Sequence, residues 1–395
     1  MASPDEGARN LRVISATNVL TGTYNNLMQV VLQPFVLRLT GSVFLLSAFM
    51  ALATRLGGIV GSVAQLAGGR LADRWGRKPV ILLGSTFNAA CLSLFLATAL
   101  TEWTPLLLPA FAFLGLGLLS SPAVQSTVAE SVEARGRAMA FSKVLFFLLL
   151  PAAAMAFLGG YLADYFGYPL VFGLGLSLEA VNFVLFALIL RETLREHDLE
   201  PWSVRTAFRL REPRLRGVMI VTTVDLFVWT VTINIIYGMA VDRFGFTTGD
   251  IGIIVGVWAL TFLLATLPVG KLVERFGSRW MIFTSEALGI PVMLGWILAS
   301  SPFQFAVISV LNGLVAATWV PALQTLIANS VEDRIRGETI GQITAIRSFL
   351  AFPAPLLGGL LYDRFGYPAP MAASLAGILV ALALVLRYVH DPPRP

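Results

Sequence analysis

The chain has 395 residues, of which 56% are hydrophobic and only 13% charged, and a formal net charge of +5. A soluble domain carries about a quarter charged residues, so no polar shell can be assembled around a chain of this size, and a water-soluble fold is excluded. The apolar residues come in runs of about twenty, the length that crosses a ~30 Å hydrocarbon core at 1.5 Å per residue. Barrel-type alternation is absent, so the predicted fold class is all-α integral membrane, with helices that satisfy their own backbone hydrogen bonds in lipid.

In chain order, twelve spans are predicted. Residues 13–37, 43–67, 78–100, 104–128, 138–160 and 168–190 form the first six; residues 217–240, 250–270, 279–299, 303–327, 339–361 and 367–388 form the second six. The leading segment MASPDEGARNLR is polar, and the apolar run behind it is too long for a signal-peptide core, so the first span is expected to be retained. That span carries Asn18, Thr21, Asn25, Gln29 and Gln33 at spacings of three and four, one polar face on an otherwise apolar helix, flanked by Tyr24 and Asn26. The seventh repeats the theme with Thr222, Asp225, Trp229 and Thr232. Two such stripes suit an aqueous cavity, although hydrogen bonding between helices would use the same residues. Trp229, Trp258 and Trp319 offer aromatic contacts.

Charges inside spans are costly, at least ~2.5–3.5 kcal/mol each at the bilayer centre. Asp225 lies nine residues beyond Arg216, about 13 Å into its helix. Arg347 lies eleven beyond Arg336, about 16 Å in, and Arg55 fourteen before Gly69, about 21 Å from that end. Interhelical ion pairing is the structural alternative for all three. Glu179 and Glu286 are expected to be structural, with Glu286 near enough to one end to reach the interface, and Lys143 to snorkel.

Of the 28 basic residues, 22 fall in loops on one side of the membrane. Only Arg38, Arg243 and Arg364 lie on the other, and Arg55, Lys143 and Arg347 within spans. By the positive-inside rule both termini are cytoplasmic, and the basic excess is a topology signal that calls for a lipid bilayer and no nucleic acid.

The halves echo each other. SVEARGR (131–137) returns as SVEDRIR (330–336), and GGYLADYFGYP (159–169) as GGLLYDRFGYP (358–368), both at an offset of 199. GRLADRWGRK (69–78) returns as GKLVERFGSR (270–279) at an offset of 201. Same-orientation repeats predict two bundles, residues 1–190 and 217–395, joined by a basic cytoplasmic linker, 191–216.

The segment Gly69-Arg70-Leu71-Ala72-Asp73-Arg74-Trp75-Gly76-Arg77-Lys78 closely resembles the signature loop between the second and third helices of the major facilitator superfamily, and the resemblance covers essentially the whole chain. Gly69 would let its helix approach a neighbour closely, Gly76 would permit a tight turn, and Asp73 would cap a nearby helix N-terminus. The resemblance makes that partner the eleventh helix, near Gly337, and makes Gly69, Asp73, Arg74, Gly76, Arg77 and Lys78 a conformational latch. It also implies a cavity bordered by the first, fourth, seventh and tenth helices. Proton-driven drug antiporters of the family carry Gly-Pro-x-x-Gly-Gly late in the fifth helix. Here Met155-Ala156-Phe157-Leu158-Gly159-Gly160 keeps only the glycine pair, and the second half reads Ala354-Pro355-Leu356-Leu357-Gly358-Gly359. The basic residue often found a turn before a Gly-x-Gly in the fourth helix is missing, since Phe111 precedes Gly115 and Gly117. Glu192-Thr193-Leu194 resembles the drug-exporter ending of the sixth helix, with Arg191 where proline is usual.

The resemblance implies a secondary transporter of the cell (inner) membrane, a monomer working by alternating access, with proton-coupled export of a small amphipathic molecule as the expected activity. Asp225 is the expected proton site; Asn18, Thr21, Tyr24, Asn25, Gln29, Arg55, Trp229, Thr232 and Arg347 are expected to line the substrate cavity. Arg55 and Arg347 favour a rival reading, carriage of an organic or lipid-like anion, and a transporter-like receptor stays open as another class. No cofactor, metal site or catalytic constellation is expected: the two histidines, His197 and His390, lie in polar segments, Cys91 is single, and no GxxxxGK[ST] loop is present.

Overall fold

A computed structural model describes residues 4–54, 58–133, 137–194, 215–330 and 336–390, and its elements are helices. The first half comprises α1 (Pro4–Thr40), α2 (Val43–Leu52), α3 (Gly58–Trp75), α4 (Arg77–Thr101), α5 (Leu107–Gly117), α6 (Ser120–Glu130), α7 (Arg137–Leu149), α8 (Ala152–Phe166) and α9 (Tyr168–Leu188). The second comprises α10 (Arg216–Ile233), α11 (Ile236–Phe244), α12 (Thr248–Phe276), α13 (Ser278–Leu298), α14 (Pro302–Ser330), α15 (Arg336–Ala351), α16 (Ala354–Phe365) and α17 (Pro368–Tyr388).

Every predicted span falls on these helices, several of which break in mid-span: α5/α6 at Leu118, α7/α8 at Leu150, α10/α11 at Asn234 and α15/α16 at Phe352. Among the described residues, nine helical stretches are long and apolar enough by themselves to cross a bilayer. The predicted spans missing from those nine are the first, second and eleventh. The first carries the polar stripe, the eleventh Arg347, and the second is interrupted by residues 55–57, outside the described set.

The chain divides into two compact units. One is Met1–Thr40 with Leu52–Trp202; the other is Gly41–Ala51 with Ser203–Pro395. The short helix after Gly41 thus packs with the second unit, where Gly359 of α16 lies against Ser47 and Phe44.

The repeat is visible in the backbone. Gly76 and Gly277, 201 apart, open α4 and α13 with φ of 107° and 88°; Gly167 and Gly366, 199 apart, both have φ of 81°. These φ values lie where a side chain is strained. The glycine pair also repeats its job: a Cβ on Gly159 would sit 3.1 Å from the Leu27 Cα of α1, and one on Gly358 would strike the Val231 carbonyl of α10. Each half therefore brings the late part of its fifth helix into backbone contact with its first. Aromatic rings close one end of each unit: Phe35, Tyr168, Phe172, Phe95 and Phe111 in the first, and Phe244, Phe246, Phe305 and Tyr367 in the second.

Candidate functional site

In the second unit, Asp225 of α10 and Glu286 of α13 bring their carboxyl groups together, 8% and 1% exposed respectively. Asp225 is nine residues into α10 and Glu286 eight into α13, so both lie about 12–13 Å from the helix starts. Neither Glu286 oxygen receives a hydrogen bond from an ordinary donor. Two carboxylates have no hydrogen to share, so the contact becomes a hydrogen bond only when one of the groups holds a proton. Arg347 of α15 feels the charge of Asp225, yet among the described residues it makes no ion pair within 4.0 Å and its buried Nε has no hydrogen-bond partner. Ion pairs do form elsewhere, joining Arg38 to Glu102 and Arg77 to both Asp73 and Glu130. The expectation that Glu286 reaches the interface is therefore corrected: it is 1% exposed and faces Asp225. Counting residues from Arg279 gave its depth but not which way it faces.

Trp229, one turn beyond Asp225, lays its ring on α13, where a Cβ on Gly289 would lie 3.0 Å from it. Thr232 is fully buried and its hydroxyl lies 2.8 Å from the Ser374 hydroxyl of α17, so it joins helices of its own unit.

The first unit places the polar face of α1 against its own neighbours. Asn18 donates to the Val144 carbonyl of α7 at 2.9 Å. Thr21 Oγ1 accepts from Asn182 Nδ2 at 3.0 Å, and the same amide donates to Glu179 Oε2 at 3.1 Å. Ser85 of α4 donates to Glu179 Oε1 at 2.5 Å, and Tyr24 and Asn88 also hydrogen-bond this carboxylate. Asn25 and Gln29 are half-buried on the same helix. Arg55 lies outside the described residues.

The two polar clusters occupy related positions. Gly41 and Gly245, both with positive φ, follow the first and seventh spans at an offset of 204, which carries Thr21 onto Asp225. The offset of 201 carries Ser85 onto Glu286. In one half these two positions hold carboxyls that face each other. In the other they hold hydroxyls, and Glu179 with Asn182 from the sixth span lies between them.

The signature loop builds a separate charged cluster in the first unit. Arg77, 8% exposed, reaches back to Asp73 and across to Glu130 at the end of α6, whose other oxygen accepts from Thr193 Oγ1 at 2.5 Å. The N-terminus of α4 is capped by Glu192, which accepts from the Arg77 and Lys78 backbone N–H groups, each at 2.9 Å. Lys78 Nζ donates to the Ala187 carbonyl at 2.7 Å, and Arg74 is exposed. Asp73 is thus engaged with Arg77, while the capping carboxylate comes from 115 residues downstream. Gly76 makes the tight turn as expected. Close approach belongs to Gly68, which abuts the Leu119 backbone; at Gly69 the nearest atom to an added Cβ is Pro122 Cβ at 3.8 Å. Glycines one position apart face different sides of a helix, and the sequence string does not say which faces the neighbour.

A family model described as Major Facilitator Superfamily matches residues 14–240 and again 218–395. "Multidrug resistance protein MdtG" of Salmonella typhi is 27% identical over 391 residues, spanning 96% of this chain and 95% of that protein. The protein of the same name from Citrobacter koseri is 27% identical over 396 residues, with the same coverage. Among solved structures, a bacterial homolog of the human lysosomal transporter Spinster, inward-facing and unoccupied, superposes with a TM-score of 0.72 at 17% identity, covering 98% of this chain and 95% of that one. The human organic anion transporter MFSD10 gives 0.69 at 17%, over 96% and 99%. The likeness to these two is one of fold. The chain resembles bacterial drug exporters in sequence, and its relatives and structural neighbours are transporters, not enzymes.

Proposed function

The chain belongs to the Major Facilitator Superfamily, and from that premise we propose that it exports a small amphipathic molecule across the cell membrane by alternating access, driven by proton exchange at Asp225 with Glu286 as its partner. One observation carries the reading: two buried carboxyl groups meet at mid-span depth, and Arg347 stands near without pairing. Two unit charges about 4 Å apart repel by about 4 kcal/mol even at an effective dielectric constant of ~20, so the pair holds a proton whenever no cation approaches. Arg347 or a cationic substrate moving onto Asp225 supplies the missing positive charge and releases it. That gives one site two proton affinities tied to two conformations, the minimum a coupled cycle needs.

The remaining assignments follow from this. The stripe residues Asn18, Thr21, Tyr24, Asn25, Gln29, Trp229 and Thr232 and the two arginines within spans, Arg55 and Arg347, are assigned to the substrate path on their place in the sequence pattern. Residues 1–190 and 217–395 act as the two moving bundles and 191–216 as the linker, with both termini cytoplasmic on the basic-residue asymmetry. Gly69–Lys78, with Glu130 and Glu192 added, latches one state. The name of the MdtG relatives supports a drug-like substrate. The unpartnered Nε of Arg347 favours a second reading, an organic or lipid-like anion as cargo.

Proteoliposomes separate these readings. An imposed pH gradient should drive accumulation of a fluorescent cationic amphiphile in wild type and not in Asp225→Asn. Gradient-independent movement of an anionic amphiphile, lost in Arg347→Gln, would replace the first reading with the second. No flux of either compound would leave a transporter-like receptor.

A further inference from the structure

We propose that the buried cluster around Glu179 in the first unit is a binding site for one small monovalent hard cation, with sodium as the type case. Glu179 is 2% exposed and lies nine residues before the end of α9, about 14 Å into the span. Ser85, eight residues into α4, and Thr21, nine beyond Arg12 on α1, meet it at the same depth.

The side chains gathered there are all oxygen-bearing: one carboxylate, the Ser85, Thr21 and Tyr24 hydroxyls, and the Asn88 and Asn182 amides. No lysine, arginine or histidine is among the partners of Glu179. Oxygen donors without nitrogen or sulfur select hard cations. A single negative charge matches a single positive one; a divalent ion would leave one charge uncompensated at a depth where each costs at least ~2.5–3.5 kcal/mol.

A second, independent observation points to a ligand. Asn182 is 1% exposed, and its Oδ1 is buried with no hydrogen-bond partner, although its Nδ2 serves both Thr21 and Glu179. The orphan carbonyl oxygen belongs to the same amide that touches the carboxylate, so an unfilled acceptor lies within one side chain of an anion whose hydrogen-bond partners are all uncharged. A cation would take both. A proton on Glu179, donated to the Ser85 or Tyr24 hydroxyl oxygen, is the competing way to neutralise this carboxyl, and a sodium response at fixed pH separates the two. Serine and tyrosine oxygens have lone pairs that can face a cation once their hydrogens turn away, the cation replacing their hydrogen bonds to the carboxylate.

The site is distinct from the Asp225–Glu286 pair and stands or falls separately. Its test uses the purified full chain at fixed pH and ionic strength, with sodium chloride against N-methyl-D-glucamine chloride. Equilibrium dialysis with radioactive sodium should show saturable binding of about one ion per chain in wild type, and thermal unfolding should move upward with sodium over the same concentration range. Asp225→Asn should keep both responses and Glu179→Gln should lose both. Ser85→Ala should weaken binding by about tenfold or more. Indistinguishable behaviour in the two salts, or sodium binding unchanged in Glu179→Gln, would overturn the proposal. Should Glu179→Gln fail to fold, absence of saturable binding in wild type alone would overturn it.

Discussion

Replacing Glu286 by Gln keeps the shape of the buried pair and removes one of its charges. In wild type a second ionisation must overcome a repulsion of about 4 kcal/mol, roughly three decades in population. The folded chain therefore retains a proton through neutral pH, while the unfolded chain, with solvated carboxylates, has lost it. Where the folded state binds one more proton than the unfolded, stability falls as pH rises, by about 1.4 kcal/mol per pH unit. In Glu286→Gln the amide N–H donates to the Asp225 carboxylate, no proton need be held, and that slope disappears. Unfolding of purified protein between pH 6 and 9 should show wild type losing ground to Glu286→Gln as pH rises. At the top of the range the variant should be the more stable of the two, which is the reverse of what truncating a well-paired buried acid does. Parallel curves for wild type, Glu286→Gln and Asp225→Asn would refute the shared proton.

Other consequences reach further along the chain. Glu192→Ala should lower stability by about 1 kcal/mol by uncapping α4, read as a drop in unfolding temperature that Glu192→Asp partly restores. Arg77→Lys should fail to replace the arginine, because one ammonium cannot hold Asp73 and Glu130 in the planar fork geometry; spin-label distances within the first unit should broaden as in Arg77→Ala. Gly358→Ala should abolish folded expression, since its Cβ meets the Val231 backbone, whereas Gly69→Ala, with 3.8 Å of clearance, should leave stability within about 0.5 kcal/mol. In a Cys91→Ser background, cysteines at Glu102 and Glu133 should label from opposite faces of the membrane, and same-side labelling would break the twelve-span topology.

The spans, the family and the duplication are legible in the sequence because each depends on local composition or on strings that repeat at fixed offsets. The turn at Gly76 is legible for the same reason. What escaped was pairing across helices. Asp225 stands out by its depth alone, but its pairing with Glu286 does not, because counting residues from a helix end gives height and not azimuth. The capping role of Glu192 lies 115 residues from the amides it serves, and no local pattern links them. The offsets held a signal that could have found the second carboxyl: position 286 corresponds to Ser85 and position 225 to Thr21, so two acids stand where the other half holds two hydroxyls. Periodicity marks a polar face on α1 without distinguishing interhelical hydrogen bonding from facing water; Asn18 and Thr21 hydrogen-bond to α7 and α9.

Coupling itself is best tested by following substrate and protons together in one vesicle preparation. With a pH-sensitive dye inside proteoliposomes and a cationic amphiphile added outside at equal pH, wild type should move protons in the direction opposite to the substrate, at a fixed ratio. Asp225→Asn should carry substrate down its own gradient with no accompanying proton signal. Proton movement that persists undiminished in Asp225→Asn, or substrate movement in wild type with no proton signal at all, would contradict the assignment of this carboxyl as the coupling site.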